Sequence, residues 1–490
     1  MKIHSLQLTD FRCFENFKME FDPNENVHVI LADNMAGKSG IMAALTINLV
    51  SYSSGLLAGL KPSILSSDHR VIGDNPGHTL VSECAIETDA ELMDERGERI
   101  RIIWKRFKDR PSGNNTKTYY RKGIGNGIYA INQGNLTKLG KSVYDNAMVG
   151  KAQLPLFNYV GTDYSHVFRS DTKDFDLRGG AVQGYQDWFA DKSIQKSLFN
   201  WFGLVEAISN EVGSKPLVAE MYGAFPQDAH WAFEQAVKTL IPDIVDLSWA
   251  AVEQRLIVKM DGRYPQFFEM LSDGYRYLLL LAGELATRAI MLNKHLGKDV
   301  FVKTTGVVLI DEFGIHLHPM HQHEVLKRLS ELFPNVQFII STHSPLLING
   351  LKKEQIHIIE VQEDGTRTVR HPDEDAIGLG VNGILVKMFG LETTLDSVYE
   401  KKAEHFKRLT ALKAERELTD SEKIEYNEAR AVLSRFQMDP TMRISDDPIT
   451  EAVREKLKER ETSDLLKAAI PVLDVKTQVD AILNELLIKK

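Results

Sequence analysis

The amino-acid sequence predicts an α/β fold: a mixed or parallel sheet with a helical lobe inserted in it, followed by a C-terminal region that is α-helical. Three observations predict it. The apolar runs Val27–Leu31, Val307–Ile310 and Val336–Ile340 suit strands buried on both faces. Helical patterns follow or separate them, and strand, helix and strand at this spacing indicate parallel pairing with right-handed crossovers. After about residue 385 the chain turns to Lys, Arg, Glu and Ala, with almost no strand formers.

The elements follow in order. Ile3, Leu6, Leu8 and Phe11, then Phe17, Met19 and Phe21, alternate with polar residues and read as strands. The turn Asp22-Pro23-Asn24 precedes the strand Val27–Leu31. A helix begins near Lys38 and carries Ile41, Met42, Leu45 and Leu49 on one face. Residues 78–160 return to strand-like stretches such as Ile100–Phe107, broken by the polar loop Pro111–Lys117. Residues 180–250 read as mainly helical and hold Trp188, Trp201, Trp231 and Trp249, which are expected to pack in the core. A strand is expected at Leu256–Met260, a helix from Ser272 towards Leu296, and a helix over Glu324–Phe333 between the last two buried strands. Thr419 and Glu422 have capping-box spacing, and Asp439-Pro440 and Asp447-Pro448 interrupt helices that resume to Lys490. The expected domains are therefore 1–385, with the helical lobe at about 180–300, and 386–490.

Composition narrows the function. Of 490 residues, 43% are hydrophobic and 26% charged, the balance of a soluble globular protein. Lys+Arg is 59 against Asp+Glu 68, a net charge of −9, which excludes a uniformly basic nucleic-acid coat but leaves room for a local basic groove. Cys13 and Cys84 are too few for a disulfide framework or a zinc cluster. No run of eighteen apolar residues suggests a membrane span, and Met1–Ser5 lacks the apolar core of a signal peptide, so the cytoplasm is the expected compartment.

Chemistry concentrates at four places. Ala32–Ser39, between a strand and a helix, is a phosphate-binding loop pattern with alanine in its first glycine position. Backbone N–H groups of Asn34, Met35, Ala36 and Gly37 would cradle phosphate oxygens, Lys38 would reach the β- and γ-phosphates, and the Ser39 hydroxyl would ligate Mg²⁺. Met35 stands where glycine is common. Gly40 stands where a helix former is expected, at a cost of about 1 kcal/mol. Both bear on turnover more than on binding. The strand Val307–Ile310 ends in Asp311, suited to hold Mg²⁺ through water, and Glu312, suited to polarise an attacking water. Phe338–Pro345 reads as another buried strand, ending in His343. Parallel strands put their C-terminal ends on one edge, so Lys38, Asp311 and His343 should converge there. Last, Ser272 would cap a helix that starts at Leu271-Ser272-Asp273-Gly274, a start that favours phosphate.

Together and in this order the elements resemble the ATP-binding-cassette ATPases, and within them the AAA-family branch of RecF, SMC and OLD-like ATPases. Phe11-Arg12-Cys13-Phe14 looks like that branch's opening loop beside the nucleotide base, Leu271–Gly274 like the family signature, Asp311–Pro319 like the extended Walker B segment, and His343 like the switch histidine. The resemblance implies an ABC-type ATPase head using ATP and Mg²⁺. It implies that Ser272 and Gly274 cap the ATP of a second subunit, so that ATP joins two heads. The tail carries neither an Asp-x-Asp pair at a strand end, as a Toprim nuclease would, nor a long coiled coil; Asp373-Glu374-Asp375 reads as a solvated turn. Head plus helical tail looks like the PtuA-type ATPases of Septu systems and their retron-associated relatives in anti-phage defence. That implies a separate HNH nuclease as partner and DNA as a possible ligand, with no nuclease activity in the chain itself. The alternative is a RecF- or SMC-like DNA-repair ATPase that acts on DNA without a nuclease partner.

Overall fold

The computed structural model describes residues 1–436 except 34, 54–62, 73–78, 82, 95, 97, 112–115, 125–127, 134–135, 150–151, 163–174, 176–179, 190–194, 213 and 392–396. The chain divides into two units, Met1–Gly390 and Leu391–Lys490.

The first unit opens with β1 (Lys2–Phe11) and β2 (Phe14–Glu20), an antiparallel hairpin, then β3 (Val27–Ala32) and α1 (Lys38–Ser53). Leu6 and Leu8 alternate inward on β1. Ile3 keeps to the same buried face because a bulge between Ile3 and Ser5 absorbs the odd spacing. The two-residue strands β4 (Val71–Ile72) and β5 (Thr79–Leu80) pair with each other. The meander β6 (Cys84–Met93), β7 (Arg99–Lys108), β8 (Lys117–Ile124) and β9 (Ile128–Gln133) extends the first hairpin into an antiparallel sheet ordered β2-β1-β6-β7-β8-β9.

After α2 (Leu136–Met148) and β10 (Leu156–Val160) comes the lobe: α3 (Gln195–Val212), α4 (Pro216–Tyr222) and α5 (Phe225–Leu240), then an antiparallel three-stranded sheet of β11 (Ile244–Ala250), β12 (Arg255–Met260) and β13 (Gln266–Phe267). The stretch 180–250 is thus not helical throughout, and Trp249 sits on a strand. Trp188 and Trp201 are fully buried, while Trp231 and Trp249 are partly buried against the same core. The central helix α6 (Asp273–Leu292) is buried along nearly its whole length. Its one buried cation, Arg288, pairs with Glu284 at 2.7 Å and donates to the Gly184 and Gln186 carbonyls at 3.0 and 2.7 Å, so the charge is compensated where it lies.

The unit closes with α7 (Val300–Lys303), β14 (Gly306–Ile310), α8 (Pro319–Leu332), β15 (Val336–Ser341), α9 (Pro345–Ile348), β16 (Ile356–Val361), β17 (Arg367–Arg370) and α10 (Gly380–Lys387). The second sheet has the order β10-β14-β15-β3-β16-β17, parallel throughout except for the edge strand β17. Its strands are buried on both faces, as parallel sheets are. On β3 and β16 the buried imidazoles of His28 and His357 lie 3.3 Å apart, and burial pushes His28 down to about 4.

In the second unit, α11 (Ser397–Glu415) and α12 (Asp420–Phe436) are described; the expected helices beyond them lie outside the described residues. Thr419 and Glu422 form the reciprocal capping box: Thr419 N–H donates to Glu422 Oε2 at 2.8 Å, and Glu422 N–H to Thr419 Oγ1 at 3.4 Å. Among the described residues no helix is long and apolar enough to cross a membrane.

Candidate nucleotide site

The order β14-β15-β3 sets three strand ends side by side, and each supplies part of the site. From β3 the chain turns through Ala32–Gly37 into α1. Met35 has φ +67° and Gly37 φ +110°, so Met35 adopts the left-handed conformation that glycine tolerates better, with its side chain 94% exposed. Asn34 lies outside the described residues. Ala36 is buried, and its N–H donates to Asp33 O at 3.2 Å. Lys38 folds back over the loop: its Nζ donates to Ala32 O at 2.8 Å and to Asp33 O at 3.4 Å. Burial pushes the Lys38 ammonium below the usual lysine range, opposed by the carboxylates of Glu312, Asp311 and Asp33. Ser39 is exposed at the first turn of α1.

Gly40 has a structural reason. A Cβ there would meet the Phe14 ring at 3.2 Å and Arg12 Cδ at 3.7 Å, and one on Gly37 would meet Phe14 Cζ at 2.5 Å and Cys13 Sγ at 2.7 Å. The two glycines let the loop and the start of α1 lie against the β1–β2 turn.

From β14 come Asp311 and Glu312, and from β15 come Ser341 and, two residues on, His343. Ser341, which the sequence reading passed over, joins the two acids: its hydroxyl donates to Asp311 Oδ1 and accepts the Glu312 N–H at 2.8 Å. Glu312 has φ +52°, a left-handed conformation that this bond helps to hold. His343 Nε2 lies 3.6 Å from Glu312 Oε1, while Glu312 Oε2 is buried with no hydrogen-bond partner among the described residues. Below them, Thr342 donates to Phe313 O at 2.6 Å, and Ser344 donates to Gln322, which holds the Gly314 and Leu317 carbonyls at 2.7 and 2.8 Å. The segment after the acids is therefore tied to the His343 loop.

Ser272 occupies the N-cap position of α6, but its hydroxyl makes no capping bond, contrary to the sequence expectation. Gly274 is required by a close approach: a Cβ would fall 2.7 Å from the His316 carbonyl oxygen. The start of α6 thus rests on the segment that follows Glu312. Arg12 has φ +50°, and its Nε donates to Asp68 Oδ1 at 2.9 Å. Beside the phosphate loop, Arg12 and Cys13 line a cavity of about 450 Å³ with His69, Arg70, Asp364 and Arg367.

The residues suit ATP and Mg²⁺. An orphaned carboxylate oxygen on Glu312, a buried Asp311 and the exposed Ser39 hydroxyl are oxygen donors of the kind Mg²⁺ takes, and Lys38 bonded to loop carbonyls marks a cradle for anionic oxygens. Asp373, Glu374 and Asp375 are exposed, and among the described residues no group of three or more His, Cys, Asp or Glu side chains is placed to hold a metal ion.

Residues 5–215 match a family model described as "AAA domain", and residues 185–349 match a second, described as "AAA domain, putative AbiEii toxin, Type IV TA system". The chain is similar to "Retron Vc95 probable ATPase" of Vibrio cholerae, 38% identical over 26% of this chain and 24% of that protein. It is similar to "Septu protein PtuA" of Bacillus mycoides, 30% identical over 34% and 23%. Similarity to "Retron Ec83 probable ATPase" of Escherichia coli is more extended, 23% identical over 74% of this chain and 72% of that one. The aligned region spans about a quarter of the first two relatives. Among solved structures, an SMC head bound to the C-terminal winged-helix domain of ScpA aligns over 76% of this chain and 98% of that one, at 17% identity and a TM-score of 0.46.

Proposed function

We propose that this chain, which carries AAA-family ATPase domains over residues 5–349, binds and hydrolyses ATP and through it controls a separate HNH-type nuclease in anti-phage defence. The observation that carries the reading is the meeting of Lys38, Asp311, Glu312 and His343 at one edge of the parallel sheet, with the Ser341 hydroxyl joining the two acids. Lys38 exchanges its loop carbonyls for the β- and γ-phosphates. The loop N–H groups, from Asn34 to Gly37, take the remaining phosphate oxygens, and the Arg12 cavity takes the base and ribose. Ser39 and Asp311 would hold Mg²⁺, which neutralises charge on the transferring phosphoryl group. Glu312 accepts a proton from the attacking water as the water oxygen bonds to the γ-phosphorus and the bond to the β-phosphate oxygen breaks. His343, beside Glu312, orients that carboxylate.

Ser272 and Gly274 act on the ATP of a second copy, so two heads assemble around bound nucleotide. The helical region, taken as residues 386–490, is the docking element for the nuclease, and DNA is the ligand that the assembly senses, in the cytoplasm. The likeness to Septu and retron proteins supports the defence setting. Lys38→Ala tests the core of the reading: ATP affinity should fall by about two orders of magnitude, since charge-assisted bonds to phosphate are lost. Unchanged affinity removes the loop assignment. Co-purification with the product of the neighbouring gene, and DNA cleavage only by the pair, tests the partner.

A further inference from the structure

We propose that Arg367, on the β16–β17 hairpin and outside every nucleotide motif, is a positioning residue for the base-and-ribose end of the nucleotide; the proposal rests on the ATP reading of the site. Its Nη1 donates to Cys13 O at 2.7 Å and to Gly365 O at 2.9 Å, and the side chain forms one wall of the cavity of about 450 Å³.

The turn that Arg367 grips is strained. Asp10 and Arg12 both adopt left-handed backbone, at φ +47° and +50°, with no glycine to relieve either. Such conformations persist where surrounding bonds over-determine them, and that happens at ligand clamps. Here the bonds come from two directions. The segment after α1 contributes Arg12 N–H to Asp68 O at 2.6 Å, Arg12 Nε to Asp68 Oδ1 at 2.9 Å, and Arg70 Nε to Asp10 Oδ1 at 2.8 Å. The hairpin contributes Arg367, from the far end of the parallel sheet.

What the turn does explains why its position matters. Cys13 Sγ and the Phe14 ring fill the space into which a Cβ on Gly37 would project, at 2.7 and 2.5 Å. A shift of the turn therefore presses on or releases the phosphate loop. The same turn presents Arg12 to the cavity. Arg367 thus couples both ends of the nucleotide site through one carbonyl.

The chain supplies its own reporter. Of the two cysteines, Cys84 is fully buried and Cys13 is only partly buried at the cavity, so a maleimide should label Cys13 in preference to Cys84. The test uses the full chain with three variants. Arg367→Met keeps the stem and drops the donors, Arg367→Lys restores one donor, and Arg370→Ala removes the hairpin's ion pair with Glu360 but leaves the grip on Cys13. Arg367→Met should raise the Kd of ATP and of ADP, each by a factor of about 10, and should speed Cys13 labelling. Arg367→Lys should recover part of both, and Arg370→Ala should match wild type. In wild type, ATP or ADP should slow Cys13 labelling. Wild-type affinity in Arg367→Met overturns the proposal, as does an equal loss in Arg370→Ala. If Arg367→Met does not fold, protection of wild-type Cys13 decides: labelling that nucleotide leaves unchanged overturns it. A wild-type chain that binds no nucleotide fails at the ATP reading instead, and that result stands apart from an Arg367 failure.

Discussion

Replacing Ser341 by alanine should separate nucleotide binding from hydrolysis. The hydroxyl is fully buried at the end of β15, donates to the Asp311 carboxylate and accepts the Glu312 N–H at 2.8 Å. Its loss strands a buried carboxylate oxygen and a backbone N–H. A bond to a charged group contributes about 1.5–3 kcal/mol and a neutral one about 0.5–1.5, so native stability should fall by about 2–4 kcal/mol. Glu312, held at φ +52° partly by that N–H, should relax towards ordinary backbone and carry its carboxylate away from the water it must polarise. If half the lost energy is felt in the transition state, turnover falls by about 5- to 30-fold. Lys38 and the phosphate loop are untouched, so ATP affinity should stay within about threefold. Steady-state phosphate release, calorimetric ATP binding and a urea unfolding curve measure the three quantities. Wild-type turnover in a variant that is measurably less stable would refute the claim that the hydroxyl orients the acids. Equal losses of affinity and turnover would show a collapsed site.

Three further outcomes are expected. Glu312→Gln should retain ATP and, if two heads close on it, run at twice the monomer mass in ATP by light scattering; hydrolysis at the wild-type rate would remove Glu312 as the base. Deleting residues 391–490 should leave ATP-dependent head pairing intact and abolish co-purification with the nuclease; unchanged capture of the nuclease would reject the docking role. His28 should make the chain acid-labile: burial lowers its pKa from 6.5 to about 4, so the neutral ring is favoured in the folded state. The stability this provides, on the order of 3 kcal/mol, is present above pH 6.5 and is lost as pH falls towards about 4. Melting curves across that window should flatten in part in His28→Gln, since burial also holds the neighbouring His357 neutral.

Much of the site was legible because its chemistry sits at strand tips. An apolar run followed at once by Asp311-Glu312, or by a glycine-lysine-serine sequence, marks the place where a buried strand meets solvent. Where the reading went wrong, spacing misled it. On β11 the buried residues Ile244 and Leu247 are three apart, a helical interval, because a bulge between Ile244 and Asp246 shifts the strand's phase. Helix α2 was read as strand-like because its buried positions include Gly140 and Ala147, too small to make an apolar stripe stand out. Gly40 is a defect by local helix propensity alone, and its reason is the Phe14 ring packed above it. Ser341 and the contact of Gly274 with His316 join residues 30 and 42 positions apart, pairings that no local pattern announces.

The strand order also sets when the site can exist during synthesis. The first antiparallel sheet is complete once the chain has passed Gln133, and its strands pair largely with sequence neighbours. The parallel sheet is built the other way round: β3, made within the first 32 residues, is flanked by β15 and β16, which end at Ser341 and Val361. Until about 340 residues have left the ribosome, the strand that carries the phosphate loop stands with both edges unpaired and the two acids have no serine to hold them, and its β16 edge stays open until about residue 360. At about 5–20 residues per second that interval lasts from tens of seconds to a minute. A premature stop before β15 would leave an apolar strand open to other chains and no nucleotide site to rescue it.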